Sequence, residues 1–195
     1  MPSIVFATGN EHKVREANAA LNGAFEIIGL RDIGCEEELP ETSPTLEGNA
    51  LEKARYVHRH YQVDCFSEDT GLEVDALGGA PGVYSARYAG PANDAEANMA
   101  LLLSNLKGEK NRNARFRTVI ALILDGKEYT FEGAVEGAII HIKKGSGGFG
   151  YDPVFLPKGF NRTFAQMPVE EKNAISHRGQ AVARLKAFLM EKAGG

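Results

Sequence analysis

Two adjacent carboxylates, Glu68 and Asp69, stand directly before Thr70-Gly71 in the sequence. Neighbouring acids repel each other, so a cation beside them would relieve an unfavourable arrangement. Mg²⁺ suits such a position, because it takes one or two carboxylates and fills its other positions with water and substrate phosphates. The pair is predicted to end a weak strand, with a Thr-Gly turn aiming Asp69 out of the sheet edge. An ordinary turn that begins with Asp is the alternative interpretation.

A second candidate is the segment ATGNEHK, from Ala7 to Lys13, which joins a predicted strand to a predicted helix. Backbone N–H groups are exposed at such a junction and the helix dipole adds partial positive charge, so anions are attracted there. Thr8, Asn10 and Lys13 could all reach a phosphate group. The segment matches neither the P-loop nor the dinucleotide-binding glycine pattern, so a polar turn is the alternative.

Further acids precede the second predicted helix, at Glu36, Glu37, Glu38 and Glu41. The three consecutive ones are typical of a solvated run of charge. Together with the acids at 68 and 69, the chain nevertheless supplies enough carboxylates for a Mg²⁺ site, since this ion binds oxygen ligands only.

The loop GSGGFGYDP, from Gly145 to Pro153, places four glycines around Phe149. Its backbone can approach a ligand closely, and the aromatic ring offers a face on which a nucleobase can stack. Asp152 supplies a hydrogen-bond acceptor beside it. A hairpin loop with a core phenylalanine is the alternative interpretation.

Three potential donors, Lys172, His177 and Arg178, occur close together in EEKNAISHRGQA at the predicted start of a helix. A charged imidazole would repel the neighbouring guanidinium, so we expect His177 to be neutral unless an anion lies nearby. A neutral imidazole suits donation to a carbonyl oxygen. Surface salt bridges to Glu170 and Glu171 are the alternative.

The elements that position these residues alternate between strand and helix in the first part of the chain. SIVFA and FEIIGL read as strands, and EHKVREANAAL as a helix with Val14, Ala17 and Leu21 at helical spacing. A second helix is predicted over SPTLEGNALEKARYVHRHY, with Ser43 as its N-cap and Pro44 at its first position.

Antiparallel strands are predicted in the second part of the chain. NDAEANMALLLSNL predicts a third helix capped by Asp94, and ARFRTVIALIL and KEYTFEGAVEG flank Asp125-Gly126, a pair that favours the tight turn of a β-hairpin. AIIHI continues this strand-rich region, and HRGQAVARLKAFLMEK predicts a closing amphipathic helix. We therefore predict an α/β fold with a mixed β-sheet flanked by helices and a cleft where the glycine loops converge.

The bulk properties are those of one domain over residues 1–195, with two lobes as an option, because 195 residues of 43% hydrophobic content can build a substantial core. A net charge of -4 with scattered Lys and Arg argues against nucleic acid as a partner. Two cysteines without metal-ligand spacing, no signal-like N-terminal run and no apolar stretch of roughly 18 residues predict a cytoplasmic protein that does not bind a membrane.

Five motifs follow one another in the order ATGNEHK, ETSPTLEGNALEKA, EDTGLEVDALGGAPGVYSARYAG, GGFGYDPVF and EEKNAISHRGQA. In this order they resemble the inosine/xanthosine triphosphate pyrophosphatase family, whose members remove deaminated purine nucleotides. The resemblance runs from Ile4 to about Ala181. It implies an elongated mixed sheet forming two lobes around a central cleft, a homodimer, and Mg²⁺-dependent hydrolysis of a nucleoside triphosphate to the monophosphate and pyrophosphate.

The resemblance also implies roles for single residues. Asp69 would be the proton acceptor that activates water and would lie beside the metal, which Glu41 would help to hold. The triphosphate would lie on the first loop with three lysines offsetting its charge, Phe149 would stack on the purine, and a His-Arg pair would read the base edge. The remaining substrate contacts so implied are Thr8, Gly9, Asn10, Glu11, His12, Lys13, Lys53, Thr70, Gly150, Tyr151, Asp152, Lys172, His177 and Arg178.

The chain departs from the family pattern in two places. Members often carry an acid where this chain has Pro40, which leaves open whether Glu38 or Glu68 also serves the metal. Members often show DDSG where this chain has EDTG, a change that keeps a carboxylate and a hydroxyl.

Base choice is expected to depend on polar mismatch. Hypoxanthine and xanthine carry a carbonyl at C6 where adenine carries an amino group, so donors aimed there would face a donor in ATP, at a cost of about 1 to 3 kcal/mol for each buried donor left unpaired. The sequence leaves open which of ITP, dITP and XTP is preferred.

Two other functions are compatible with parts of the sequence. The first is a protein that binds or senses purine nucleotides without turnover, and the second is a dinucleotide-dependent oxidoreductase. The first strand–helix junction, ATGNEHK, lacks Gly-x-Gly-x-x-Gly, which counts against the second.

Overall fold

A computed structural model describes residues 2–21 and 25–194 of the chain. The strands within these residues, numbered β1 to β6 along the chain, are Ser3–Phe6, Glu26–Ile28, Cys65–Val74, Asn113–Leu124, Lys127–Ile139 and Phe155–Pro157. They form one sheet in the order β2-β1-β3-β4-β5-β6. β1 pairs in parallel with β2 and β3, whereas β6 pairs antiparallel with β5, so the sheet is mixed.

The α-helices within the described residues, numbered α1 to α5, are Glu11–Ala20, Leu46–Tyr61, Ala95–Asn105, Val169–Ile175 and His177–Ala193. The predicted α/β fold, a mixed sheet flanked by helices, is confirmed. None of the helices in this part of the chain has both the length and the apolar content that crossing a membrane requires.

Local sequence signals account for several of these elements. Asp94 accepts hydrogen bonds from the N–H groups of Glu96 at 3.0 Å and Ala97 at 3.2 Å and so caps α3 as predicted. Asp125 and Gly126 have φ angles of 50° and 73° and join β4 to β5 in the predicted two-residue hairpin turn. Of the segment AIIHI, residues 138–142, only Ala138 and Ile139 belong to a strand, as the last residues of β5.

Helix α2 begins later than predicted. Its N-cap is Thr45, whose hydroxyl accepts the Gly48 N–H at 3.0 Å, rather than Ser43. Pro44 therefore precedes the helix instead of occupying its first position. The hydroxyl of Ser43 accepts the N–H of Thr45 at 3.2 Å, so the serine supports the cap from outside the helix.

Strand β3 is longer than predicted. Glu68 and Asp69 lie in its middle rather than at its end, and Thr70-Gly71 continues the strand instead of turning. The reason lies in the residues that follow, because Leu72 and Val74 are fully buried while the intervening glutamate is less so. That period of two is the pattern of a strand with one face in a core.

The chain divides into two compact units. Unit 1 comprises Met1–Asp69, Val119–Glu132 and Gln180–Gly195, and unit 2 comprises Thr70–Thr118 and Gly133–Gly179. Unit 1 has a core of aliphatic and aromatic side chains that includes Ile4, Phe6, Ile27, Phe66, Ile120, Leu122, Leu185 and Leu189. Unit 2 has a separate core that includes Leu72, Val74, Met99, Leu102, Phe116, Tyr151, Phe155 and Phe164. The expectation of a single domain over residues 1–195 stays a prediction.

Lys172, His177 and Arg178 do not share one helix start as predicted. Lys172 lies on the short helix α4, whose C-cap is Ser176 in an extended conformation. His177 and Arg178 then open α5. The backbone N–H of Gly179 donates to the Ser176 hydroxyl at 3.0 Å, and a side chain on this glycine would meet the Asn173 carbonyl oxygen at 2.3 Å. The glycine thus permits the close passage from one helix to the next.

Candidate active site

The first loop leaves the sheet at the carboxyl end of β1. The Ala7 N–H still donates to the Phe66 carbonyl of β3 at 2.8 Å, after which the chain turns towards α1. Asn10 caps α1, with its side-chain oxygen accepting from the N–H groups of His12 at 3.0 Å and Lys13 at 3.4 Å. Because β3 runs parallel to β1 and continues beyond this point, its next residues lie beside the loop. Ligands of α/β sheets commonly bind at such a carboxyl edge.

The ammonium group of Lys53, on α2, lies close to three acidic residues of unit 1. Its Nζ donates to Glu41 Oε1 at 2.7 Å and to the backbone carbonyl of Glu68 at 2.7 Å, and it lies 3.7 Å from Asp69 Oδ1. The side chains of Lys53 and Asp69 are only 11% and 16% exposed. Charges at this depth are screened less than surface charges, so the lysine holds two carboxylates close together that would otherwise repel each other.

Lys13 makes a second ion pair beside the first. Its Nζ lies 3.0 Å from Glu68 Oε1, and the glutamate side chain is nearly buried while the lysine is partly exposed. Glu68 therefore takes part in both contacts, through its carboxylate to Lys13 and through its carbonyl to Lys53. The predicted first loop and the predicted acid pair are thus brought together in unit 1.

The carboxylates of Glu41 and Asp69 fit a Mg²⁺ ion by their chemistry. Both offer oxygen atoms as metal ligands, and both already lie near one positive charge, the Lys53 ammonium, at 2.7 Å from Glu41 and 3.7 Å from Asp69. Within residues 2–21 and 25–194, no group of three or more His, Cys, Asp or Glu side chains is arranged as metal ligands. Mg²⁺ does not need such a group, because it is bound through one or two carboxylates plus phosphates and water.

A cavity of about 840 Å³ opens on this cluster within unit 1. Its volume is within the range of small-molecule sites. The predicted residues Thr8, Gly9, Lys13, Glu41 and Lys53 line it, and so do Glu36, Glu37, Glu38, Glu68, Arg31 and Cys35. The run of three glutamates is exposed, as expected of a solvated run, and it also lies along the cavity. Burial raises the pKa of the Cys35 thiol, which keeps it protonated near neutral pH.

Arg31 is a cavity residue that the sequence analysis missed. Its guanidinium pairs with Glu11 at 2.5 Å and is largely exposed. It follows β2, which runs parallel to β1, so the carboxyl-edge position of both strands was a signal that could have identified it. Of the other first-loop residues, His12 lies exposed at the start of α1, where its Nδ1 lies 3.0 Å from Arg15.

The predicted base-binding residues lie in unit 2. Asp152 is 3% exposed, and its Oδ2 accepts from Lys172 Nζ at 2.5 Å and from the Phe149 N–H at 3.1 Å. The Lys172 ammonium also lies 4.4 Å from the centroid of the Phe149 ring. That ring is 74% exposed. The loop is thus held by a salt bridge, a backbone hydrogen bond and a cation–π contact, while one face of the Phe149 ring stays open. The alternative interpretation, in which Phe149 is a core residue, is wrong.

Two other residues of this set have buried side chains. Tyr151 is buried, and its hydroxyl donates to the Ser85 carbonyl at 2.6 Å. Burial raises the pKa of this tyrosine well above its usual range. The His177 ring is also buried and stacks on Phe116, with 4.9 Å between centroids and 14° between ring planes. For Tyr151, the backbone is the part that remains for a ligand.

The remaining predicted residues have mixed surroundings. The Thr70 hydroxyl lies 2.8 Å from that of Thr118. Gly150 has a φ of 58°, a left-handed conformation that favours glycine. Arg178 is half-buried at the start of α5. The binding roles of all these residues stay predictions.

Comparison with known proteins gives consistent matches over nearly the whole chain. A family model described as the Ham1 family matches residues 4–188. A dITP/XTP pyrophosphatase of Porphyromonas gingivalis is 54% identical over 97% of this chain and 98% of that protein. A dITP/XTP pyrophosphatase of Flavobacterium johnsoniae is 53% identical over 93% of this chain and 95% of that protein.

The fold comparison agrees. The solved structure of the Staphylococcus aureus Ham1 protein superposes with a TM-score of 0.93 and 37% sequence identity, covering 97% of this chain and 99% of that one. The resemblance predicted from the ordered motifs is confirmed. With the family model and the solved structure in agreement over nearly the full length, the chain belongs to the Ham1 family.

Proposed function

We propose that the protein hydrolyses non-standard purine nucleoside triphosphates, namely ITP, dITP or XTP, to the monophosphate and pyrophosphate. The observation that carries the proposal is the cluster around Lys53, whose ammonium bonds Glu41 at 2.7 Å and lies 3.7 Å from Asp69. Lys53 and Glu41 line the cavity that the first loop also lines. Family membership supports it, because relatives over 50% identical are dITP/XTP pyrophosphatases.

Each residue of the cluster has a distinct task in this proposal. Asp69 takes the proton of the attacking water, and Lys53 and Lys13 place positive charge where the phosphate oxygens gain negative charge in the transition state. Glu41 and Asp69 are the residues that would hold Mg²⁺, and the bound ion would supply further positive charge to the phosphate oxygens. The largely buried position of Lys53 strengthens its electrostatic effect, because water screens it poorly.

Recognition of the purine is assigned to the residues around Phe149. Phe149 offers its exposed ring for stacking, and Lys172 beneath that ring and Asp152 beside it fix the loop. His177 and Arg178 are proposed to donate to the C6 carbonyl of hypoxanthine or xanthine. The ring of His177 is held by its stacking on Phe116, which would keep its orientation constant between substrates.

We also propose that the protein is a homodimer, as the family resemblance implies, and that it is located in the cytoplasm. Sedimentation equilibrium at micromolar concentration tests the first of these. A mass near twice the 21.1 kDa of the chain is expected, and a mass of one chain at all concentrations would contradict it.

Substrate choice and metal dependence provide the test of the proposed function. The protein is incubated separately with ITP, dITP, XTP, ATP and GTP, with Mg²⁺ or with excess EDTA. The hypoxanthine and xanthine nucleotides should be hydrolysed about 10²- to 10⁴-fold faster than ATP, because two donors would lose their acceptor in the adenine complex. EDTA should abolish turnover.

Two results would contradict this proposal. Equal rates on ITP and ATP would contradict the base selectivity, and full activity in EDTA would contradict the metal requirement. Binding of ITP without any turnover would favour a nucleotide-sensing protein instead.

A further inference from the structure

Glu52 of α2 holds the residue that follows Glu41. One carboxylate oxygen, Oε2, accepts the Thr42 backbone N–H at 2.7 Å, and the other, Oε1, accepts the Thr42 hydroxyl at 2.7 Å. The backbone and side-chain hydrogen bonds from Thr42 lower the pKa of Glu52, so the carboxylate is charged at neutral pH. Hydrogen bonds to an ionised acceptor are stronger than neutral ones, and two of them fix both position and direction.

The neighbouring residues are fixed to the same helix. The Ser43 N–H donates to the side chain of the buried Asn49 at 2.8 Å. Gly48 leaves the space in which Ser43 lies, because a side chain on this glycine would fall 1.8 Å from the serine hydroxyl oxygen. Ser43 is therefore closely packed against the first turn of α2. Thr42, which lies between Ser43 and Glu41, is also bonded to this helix.

The two contacts that matter are adjacent along both segments. Thr42 donates its backbone N–H and its hydroxyl to the carboxylate of Glu52. Glu41, which precedes Thr42, accepts a hydrogen bond from Lys53, which follows Glu52. The Lys53 ammonium lies 2.7 Å from a carboxylate oxygen of Glu41, whose side chain is about one-third exposed. That contact is made at the end of the glutamate side chain, whereas the two hydrogen bonds of Thr42 fix the adjacent backbone.

A second contact from α2 reaches the acidic segment further upstream. The Tyr61 hydroxyl donates to Glu37 Oε1 at 2.7 Å, and the Tyr56 hydroxyl lies 3.3 Å from the same atom. The Tyr61 hydrogen bond lowers the pKa of Glu37. One side chain of the acidic run is thus directed towards the helix, and α2 holds both ends of the segment between residues 37 and 42.

We propose that Glu52 is a positioning residue, which orients Glu41 for the divalent metal ion by fixing Thr42 to α2. This inference rests on the proposed function, since it concerns the same metal site. Residues that orient metal ligands are worth 10- to 100-fold in metal affinity when removed. Glu52 itself touches neither substrate nor metal, so its loss should weaken metal binding more than it slows the reaction at saturating metal.

The experiment compares Glu52→Ala with the unaltered chain. Mn²⁺ is titrated into the protein with the non-hydrolysable α,β-methylene analogue of ITP, and free Mn²⁺ is counted by electron paramagnetic resonance. Glu52→Ala should raise the dissociation constant about tenfold. In turnover of ITP, the Mg²⁺ concentration at half-maximal rate should rise by the same factor, while kcat at saturating Mg²⁺ stays within about twofold.

A second variant and a double-variant cycle keep the test sharp. Thr42→Val removes only the hydroxyl hydrogen bond and should raise the Mn²⁺ dissociation constant about threefold. Glu52→Ala should have less than a twofold effect when Glu41→Gln is already present, because residues that act as a unit are not additive. The matched control is Glu47→Gln, which removes an exposed carboxylate from the same helix and should leave metal affinity unchanged.

Two outcomes would overturn the inference. Unchanged Mn²⁺ affinity in both Glu52→Ala and Thr42→Val would remove the positioning role, and fully additive effects of Glu52→Ala and Glu41→Gln would show that Glu52 acts elsewhere. Failure of the proposed function would look different, as absence of ITP turnover in the unaltered chain. The Mn²⁺ titration would still decide the role of Glu52 in that case.

Discussion

Replacing Asp69 by Asn is expected to lower kcat for ITP hydrolysis by about 10²- to 10⁴-fold, the usual contribution of a general base. Asn has the same shape but cannot accept a proton, and the side chain lies on the long strand β3, so the surroundings should not rearrange. The affinity for a non-hydrolysable ITP analogue should change only a few-fold. The measurement is the steady-state rate of pyrophosphate release together with calorimetric binding of the analogue.

Asp75→Asn is the matched control for this variant. Asp75 directly follows the same strand and also lies near a cation, with 3.5 Å to Arg115. Its replacement should leave kcat within about twofold, because its position is outside the Lys53 cluster. A value of kcat within tenfold of the unaltered chain in Asp69→Asn would contradict the assignment of Asp69 as proton acceptor.

Replacing Lys53 by Met is expected to lower kcat/KM for ITP by about 10²- to 10³-fold, as for other charged groups that stabilise a transition state. Met keeps the apolar stem but removes the ammonium that bonds Glu41 and the Glu68 carbonyl and that lies 3.7 Å from Asp69. The two carboxylates then face each other without that charge, and the phosphate oxygens lose a partner. Steady-state kinetics at several Mg²⁺ concentrations provide the measurement.

The control for Lys53 is a lysine whose charge serves no cluster. Lys186 is exposed on α5, and Lys186→Met should leave kcat/KM within about twofold. The unfolding transition of Lys53→Met should also be recorded, so that a loss of activity is attributed to charge rather than to unfolding. A fall in kcat/KM of less than fivefold would contradict the role given to Lys53.

Much of the fold is predictable from local signals. The cap at Asp94 and the turn at Asp125-Gly126 depend on one or two residues, whose conformational preferences do not need the rest of the chain. The start of α2 was predicted two residues too early. Ser43 and Thr45 both suit an N-cap, and the hydrogen bond of Ser43 to the side chain of Asn49 decides between them, which local preference cannot show.

The middle of β3, in the candidate site, is a second place where local preference alone predicts the wrong structure. Glu-Asp-Thr-Gly resembles a turn by composition, yet pairing of Cys65 and Phe66 with β1 and burial of Leu72 keep the chain extended. Tertiary contacts therefore override a local preference. For Asp69 the consequence is favourable, because a strand holds a side chain more rigidly than a turn.

Long-range polar contacts were the least predictable part of the site. The ordered motifs suggested Lys53 and Glu41 as site residues. Thr42 and Glu52 are ten residues apart, and nothing in that spacing indicated that two hydrogen bonds would join them. Likewise, nothing in the local sequence indicated that the Tyr151 hydroxyl would donate to the Ser85 carbonyl in the core of unit 2. Such pairings arise only once the elements have packed.

The identity of the phosphate product tests the proposed function most directly. ITP is supplied with Mg²⁺, and inosine monophosphate, inosine diphosphate, pyrophosphate and orthophosphate are quantified over one time course. We expect the monophosphate and pyrophosphate to appear in equal amounts from the first time point, without accumulation of the diphosphate. Initial release of orthophosphate with inosine diphosphate would contradict it.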